Sequence, residues 1–349
     1  MMRILTFLWS VAVFGVAMNA QPTFAQPAEP TPLFASDEII QLSIRGDLRR
    51  VARSDDGVPA TLTLHGSAPE THQIRLSPRG VSRRRNDICT FPPLRVELPS
   101  RPESGLFQGQ RRIKLVTHCQ RRSAHQQHVL LEYAAYRLYN AMTDRSFRVR
   151  LAQIDYYRGD AETPNISRVG FFIEDVDDAA ERNGMMEVET PSFPPSQLSR
   201  ADTARVALFQ YMVGNLDWAV QSGPPGDDCC HNTRPIGMTE TATSNLVSLP
   251  YDFDQTGLVD APYSAPPAQI RVSSVRTRVF RGFCFHNDET RAAAAEFLAA
   301  RPRLEAVLAS IPQLTERRRD RAASYLADFF EDIATPEDVE DNLIDDCLT

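Results

Sequence analysis

An α+β chain, with a strand-rich first half and a helical second half, is what this sequence predicts. Three observations carry the prediction. Short runs with alternating apolar residues recur between Glu38 and Val116. One long amphipathic segment follows from Ala124 to Met142, and the last quarter is alanine-rich with apolar residues at helical spacing.

The first residues of the 349 read as a targeting signal. Met1-Met2-Arg3 supplies a short positive region, Ile4 to Met18 is nearly all apolar, and Ala20 and Ala25 both suit the last position before cleavage. A signal peptide over 1–25 is expected, with an uncleaved N-terminal anchor as the alternative. No later stretch reaches the roughly 18 to 20 apolar residues that span a bilayer, so no stable membrane span is expected. Gln26 to Pro32 is proline-rich and opens a linker over 26–36.

Strand-like runs then occur at Glu38 to Ile44, Ala60 to Leu64, His72 to Leu76, Leu94 to Leu98 and Arg112 to Val116. Turn signals such as Asp55-Asp56-Gly57 and Pro78-Arg79-Gly80 separate them. The Ala124 to Met142 helix carries Val129, Leu130, Tyr133, Ala134, Leu138 and Tyr139 on a broad apolar face. A strand pair follows at Arg148 to Tyr157 and Ser167 to Ile173. Helices are expected over Ser199 to Val213, Thr290 to Ala309 with Pro302 interrupting it, and Leu314 to Ile333.

Net charge is −7, which argues against a general nucleic-acid binder. The cluster Arg83-Arg84-Arg85 reads as a solvated or phosphate-facing loop. Six cysteines in an exported chain allow up to three disulfides, and their connectivity does not follow from spacing. Cys229-Cys230 beside His231 leaves open a metal site or two separate disulfides anchoring a loop. Export places the chain in the periplasm or outside the cell.

Of 38 lysines and arginines, only Lys114 is a lysine. Lysine is a compact point charge, whereas arginine is a planar fork, so a tight phosphate site can require one and exclude the other. Glu132 follows 18 residues later, inside the predicted helix. In kinases a strand lysine holds the nucleotide phosphates and a helix glutamate orients it. Downstream come Asn215-Leu216-Asp217-Trp218, His231-Asn232 and Pro250-Tyr251-Asp252-Phe253-Asp254. Phosphoryl transfer needs one carboxylate to orient the acceptor hydroxyl and hard oxygen ligands for Mg²⁺, which Asn232, Asp252 and Asp254 can supply.

At these residues the chain resembles the CotH-like spore-coat kinases, atypical members of the protein-kinase-like fold. Arg75-Leu-Ser-Pro-Arg79-Gly80 is similar to that family's Arg-Gly turn, and Gly170-Phe-Phe-Ile-Glu174-Asp175 to its segment leading to the hinge. Asn215-Leu-Asp217-Trp218 is similar to its Asn-x-Asp-Trp catalytic loop, and Pro250-Tyr-Asp252-Phe-Asp254 to its Pro-Trp-Asp-x-Asp metal motif. The match runs from Glu38 to Gly257. It implies a bilobal atypical protein-kinase-like fold, with a mainly β N-lobe over 37–173 and a mainly helical C-lobe over 174–349. It also implies ATP with Mg²⁺, or Mn²⁺ in its place, as cofactors. Asp217 becomes the catalytic-loop aspartate, Asn232 a metal ligand, and Asp252 the principal metal ligand with Asp254 close by. Glu174 marks the hinge that receives the adenine. Arg79, Lys114 and Glu132 complete the nucleotide side, with Arg95 as an alternative to Lys114. The chain departs from the pattern in the insertion around Ser222 to Cys230, between Asp217 and Asn232.

The expected function is an exported kinase that moves the γ-phosphoryl of ATP to a hydroxyl of a protein or small-molecule acceptor. Two alternatives stand beside it. One is a catalytically inactive pseudokinase or structural binding module of the cell envelope; the other is a metal-dependent hydrolase built on Asp252 and Asp254.

Overall fold

Seven strands close into a barrel. They are β1 (Ile40–Gly46), β2 (Val58–His65), β3 (Glu70–Pro78), β4 (Leu94–Glu97), β5 (Arg112–Val116), β6 (Val149–Arg158) and β7 (Ile166–Ile173). Their order is β1-β2-β3-β4-β5-β7-β6. Every neighbouring pair is antiparallel except the closing one, where β1 runs parallel to β6 with Ile40 opposite Ala152 and Gly46 opposite Arg158. The structure is a computed structural model describing residues 28–54, 56–80, 82–223 and 229–349. The expected signal peptide lies outside the described residues.

The closed barrel overturns the bilobal kinase-like fold with its mainly β N-lobe. Alternation in the sequence marks each strand and its buried face, but it does not say which edges meet. Here β6 pairs on one side with β7 and on the other with β1, leaving no free sheet edge in the barrel.

Period-two alternation divides the side chains between two cores. Leu42, Ile44, Leu62, Leu76, Val96, Ile113, Leu115, Ile154 and Phe172 fill the barrel. Leu33 and Phe34 are buried with them, so the end of the expected 26–36 linker is anchored in this core. The alternate residues of β6 and β7, Val149, Leu151, Val169, Phe171 and Ile173, face a second core. That core contains α2 (Ala124–Met142), which follows a short α1 (Leu48–Val51) in the chain.

After β7 come α3 (Val176–Arg182), β8 (Met186–Glu187), α4 (Arg200–Val213), β9 (Thr233–Gly237) and β10 (Val247–Pro250). The three strands form a small sheet in the order β10-β9-β8. The helices α5 (Asn287–Ser310), α6 (Glu316–Asp332) and α7 (Pro336–Val339) complete the second core. α5 runs straight through Pro302. Pro302 is exposed, so the carbonyl it leaves unbonded within the helix can be met by water.

Three disulfides join Cys89 to Cys119, Cys229 to Cys230, and Cys284 to Cys347. The adjacent cysteines therefore bond to each other, in place of the two separate bridges or the metal site considered from sequence. A disulfide-bonded chain fits an oxidising compartment. No described helix is long and apolar enough to cross a membrane.

Candidate active site

Four chain segments meet beside α2. The first leaves β3 at Pro78 and carries Arg79 and Arg83. Gly80 makes this turn possible, since its φ of +84° lies in the left-handed region that side chains disfavour. Arg83 is the pivot of the site. Its guanidinium places Nη1 3.3 Å from Glu132 on α2, Nη2 2.5 Å from Asp252 Oδ1, and Nε 3.2 Å from Asp254 Oδ2. The side chains of Arg83, Glu132 and Asp254 are only 6, 3 and 4 % exposed, while Asp252 is 29 % exposed.

The second segment follows β10. Asp252 adopts φ +63°, a left-handed conformation that aspartate tolerates better than most residues. The Asp252 N–H donates to the Tyr136 hydroxyl of α2 at 2.9 Å, which fixes the loop against the helix. Such a strained backbone persists where surrounding contacts over-determine it.

Three carboxylates share one guanidinium here, so negative charge exceeds positive. Burial pushes the Glu132 and Asp254 carboxyls above the usual range, despite the opposing pull of Arg83. Burial also acts upward on Asp252, but Arg83, with Arg79 behind it, holds that carboxyl below its ordinary value. Asp252 and Asp254 hydrogen-bond each other, which lowers Asp252 and raises Asp254.

The third segment begins where α4 ends. Gly214 takes φ +63° at the helix C-terminus, and a Cβ there would lie 2.0 Å from the Tyr325 hydroxyl. Asn215 is buried; its Oδ1 accepts from the Asp217 N–H at 2.9 Å while its Nδ2 donates to Gln210 at 3.0 Å. This local turn aims Asp217. From the fourth segment, just before β9, His231 Nε2 lies 2.7 Å from Asp217 Oδ1. Asn232 Nδ2 donates to the Asp217 carbonyl at 2.6 Å and to its Oδ2 at 3.3 Å, and Gln255 reaches the same oxygen at 3.4 Å. The hydrogen bond to Asp217 raises the His231 imidazolium above its ordinary pKa. The Tyr251 N–H donates to the Asn232 carbonyl at 2.9 Å, joining this group to the Asp252 loop.

The expected Lys114–Glu132 pair is not formed, because Glu132 belongs to Arg83. Lys114 instead lies 5.2 Å from the Tyr251 ring and 5.5 Å from the Phe147 ring. Burial first, then the charge of Arg79, lowers its pKa to about 8. It lines a cavity of about 330 Å³ with Arg95, Arg112, Asp175, Glu187 and Arg234. Arg95 sits opposite Lys114 in the β4–β5 register, so both candidates for the phosphate-side cation face one space. Arg79 acts on both groups: its charge is felt by Lys114 as well as by Glu132 and Asp252. Its Nη1 is buried without a hydrogen-bond partner among the described residues.

Glu174 is placed differently from the expected adenine-receiving hinge. It is fully buried, bonded through Oε1 and Oε2 to Arg182 at 3.1 and 2.9 Å, and accepts from the Arg148 N–H at 2.9 Å. Its carboxylate locks the β7–α3 corner, while its neighbour Asp175 lines the cavity.

Among the described residues, no three acidic, histidine or cysteine side chains stand ready-made around a metal position. The donor chemistry of Asp252 and Asp254 nevertheless fits a hard divalent cation. Both carboxylates carry an oxygen beyond the one Arg83 neutralises, and Glu132 Oε1 is buried without a hydrogen-bond partner among the described residues. Asn232 is tied through its amide nitrogen, so its side-chain oxygen is the atom that could face a cation.

Arg83, Tyr136, His231 and Gln255 were not assigned to this site by sequence. Arg83 had a signal in the Arg83-Arg84-Arg85 cluster, read as phosphate-facing or solvated. Tyr136 is indistinguishable in sequence from the other apolar-face tyrosines of α2. A scan against protein-family models finds no match for the chain, and a search of curated proteins finds no significant relative.

Proposed function

We propose that this chain is an exported phosphotransferase that moves the γ-phosphoryl of ATP to a hydroxyl of a protein or small-molecule acceptor. The observation that carries the proposal is the Arg83 guanidinium, bonded at once to Glu132 of α2 and to Asp252 and Asp254. In kinases a cation paired with a helix glutamate holds the phosphates beside a metal-binding aspartate, and Arg83 gathers the same types of group, with arginine in the place usually given to lysine. The likeness of the Asn215–Trp218 and Pro250–Asp254 segments to the CotH-like motifs supports the same chemistry.

The nucleotide phosphates enter from the Lys114 cavity, where Arg95, Lys114 and Arg234 offer positive charge and Arg79 adds its own from nearby. Asp252 and Asp254, with the Asn232 carbonyl, would hold Mg²⁺ or Mn²⁺, which supplies charge neutralisation on the transferring phosphoryl group. Asp217 orients the acceptor and takes its proton as the acceptor oxygen bonds to the γ-phosphorus and the bond to the β-phosphate oxygen breaks. Asn215, Asn232 and Gln255 hold Asp217 in place. The catalysis is positioning plus electrostatic stabilisation. Export places the reaction in the periplasm or outside the cell.

The test is stabilisation by Mg-ATP together with turnover. Mass action gives about 2.7 kcal/mol at a ligand concentration of 100 times Kd, readable as a raised melting temperature. Stabilisation without phosphoryl transfer to any hydroxyl acceptor or water points to an inactive nucleotide binder; neither effect at millimolar Mg-ATP rejects the nucleotide site itself.

Lys114 gives the site a pH signature. With its pKa lowered to about 8, its amine is largely neutral in the free protein above that value. Nucleotide phosphates bring negative charge beside it and favour the ammonium, so binding at about pH 8.5 is expected to take up as much as about one proton. The uptake fades as pH falls, because the free amine is then already protonated. Calorimetric titration of ATP in two buffers of different ionisation enthalpy reads the uptake, and Lys114→Met should abolish it. Equal heats in both buffers at pH 8.5 would remove Lys114 from the phosphate site.

A further inference from the structure

The barrel has a second pocket, at the mouth where β1, β3, β5 and β6 end and β2, β4 and β7 begin. Its volume is about 250 Å³, and it shares no lining residue with the Lys114 cavity. Two of its lining residues carry buried polar atoms without partners among the described residues. The Tyr156 hydroxyl, on a side chain 1 % exposed, and His118 Nδ1, on one 2 % exposed, have no hydrogen bond among the described residues. Buried polar groups are almost always satisfied, so two orphans in one pocket point to a missing occupant.

The surroundings define its chemistry. Phe91 stacks on the His118 ring with centroids 4.9 Å apart and meets Tyr156 edge-on at 5.1 Å, making an aromatic wall. Arg49, Arg121 and Arg158 stand at the rim, and none has an ion-pair partner among the described residues. Burial, followed by the nearby arginine charges, lowers His118 to about 3, so its imidazole is neutral and offers one donor and one acceptor nitrogen. An apolar floor, two neutral polar atoms and three guanidinium groups with no ion pair among the described residues together match a small ligand with a flat apolar body and one anionic end. Mouths of β-barrels are favoured places for such ligands.

We propose that this pocket is a binding site for a small aromatic carboxylate, whose ring packs against Phe91, whose carboxylate meets the rim arginines and whose polar edge bonds Tyr156 and His118. It is independent of the phosphotransferase reading and needs no nucleotide.

Ligand-observed NMR on the full disulfide-bonded chain tests it, with benzoate, benzyl alcohol and inorganic phosphate as probes. Benzoate is expected to bind with a Kd of about 1 mM or tighter, in keeping with the ligand efficiency of so small a molecule. Benzyl alcohol and phosphate should each bind at least about tenfold more weakly. Tyr156→Phe keeps the buried ring and removes only the hydroxyl, so the barrel should persist, and it should weaken benzoate about fivefold. Arg158→Ala, at the rim, should weaken it by at least as much. Absence of benzoate binding at millimolar concentration would mean that water alone satisfies Tyr156 and His118, and would overturn the proposal. Equal affinity for benzyl alcohol, or affinity unchanged in both variants, would overturn it as well.

Discussion

Arg83→Met is expected to destabilise the fold by about 3–5 kcal/mol, the cost typical of removing one partner from a buried ion cluster. Methionine fills a similar volume without charge, so the loss is electrostatic. Glu132, Asp252 and Asp254 would be left facing one another, two of them nearly inaccessible to water. The sign of the pH dependence follows. Burial already raises Glu132 and Asp254 above their unfolded values, and losing the opposing Arg83 charge raises them further. At these two groups the folded variant binds more protons than the unfolded chain, so their contribution to stability is greatest below the ordinary carboxylate range, about pH 4, and falls as pH rises through the elevated folded values. The gap between wild type and variant should therefore widen from pH 5 to pH 8 (~3 pH units). Arg83→Lys should fall between them, because an ammonium cannot reach three carboxylates as a fork does. Denaturant unfolding at several pH values reads all three proteins. An Arg83→Met protein as stable as wild type, with the same pH slope, would show that the cluster is solvated and not a pivot. Nucleotide stabilisation should also be lost in Arg83→Met, since the groups that receive the phosphates would no longer be held.

The strands and long helices were legible because their signals are local. The period-two runs at Ile40–Gly46 or Arg112–Val116 and the apolar face of Ala124–Met142 depend only on residues close in sequence. Closure of the barrel was not legible, since it rests on β1 meeting β6 in parallel across a long intervening chain. The same limit explains the site. Asp217, Asn232, Asp252 and Asp254 sit in turns whose Asn, Asp and Gly composition is visible, and the structure joins their segments through Asn232 and Tyr251. The partner of Glu132 was misassigned to Lys114 because the rarity of lysine is a compositional signal, whereas that partner is decided by how the chain after β3 folds back onto α2. Arg83 lies among three consecutive arginines, and sequence alone does not say which of them turns inward. Glu174 lies in a motif position legible in the sequence, but its bonding to Arg182 and the Arg148 amide was not, because those partners come from other turns of the chain.

Asp217→Asn is expected to lower kcat for phosphoryl transfer by about 10²–10⁴, the range associated with loss of a positioned general base, while leaving the Kd for Mg-ATP within about twofold of wild type. Asparagine preserves the shape and the Asn215-directed turn, so a loss confined to kcat isolates the proton-accepting role from folding. His231 provides an independent readout. In the wild type, the Asp217 hydrogen bond raises the His231 pKa, so the imidazolium form contributes stability that is fully present below the unfolded value of about 6.5 and is lost as pH rises through the higher folded value. In Asp217→Asn that support disappears, and the His231 ring resonances should titrate at lower pH. The same proton bears on catalysis. While His231 is charged it competes with the acceptor hydroxyl for the Asp217 carboxylate, so wild-type turnover should rise with pH through the His231 titration, and His231→Gln should flatten that limb of the profile. Turnover unchanged in Asp217→Asn would remove this residue from the reaction. A kcat loss with an unmoved His231 titration would show that the 2.7 Å contact does not persist in solution, and that Asp217 acts without histidine control.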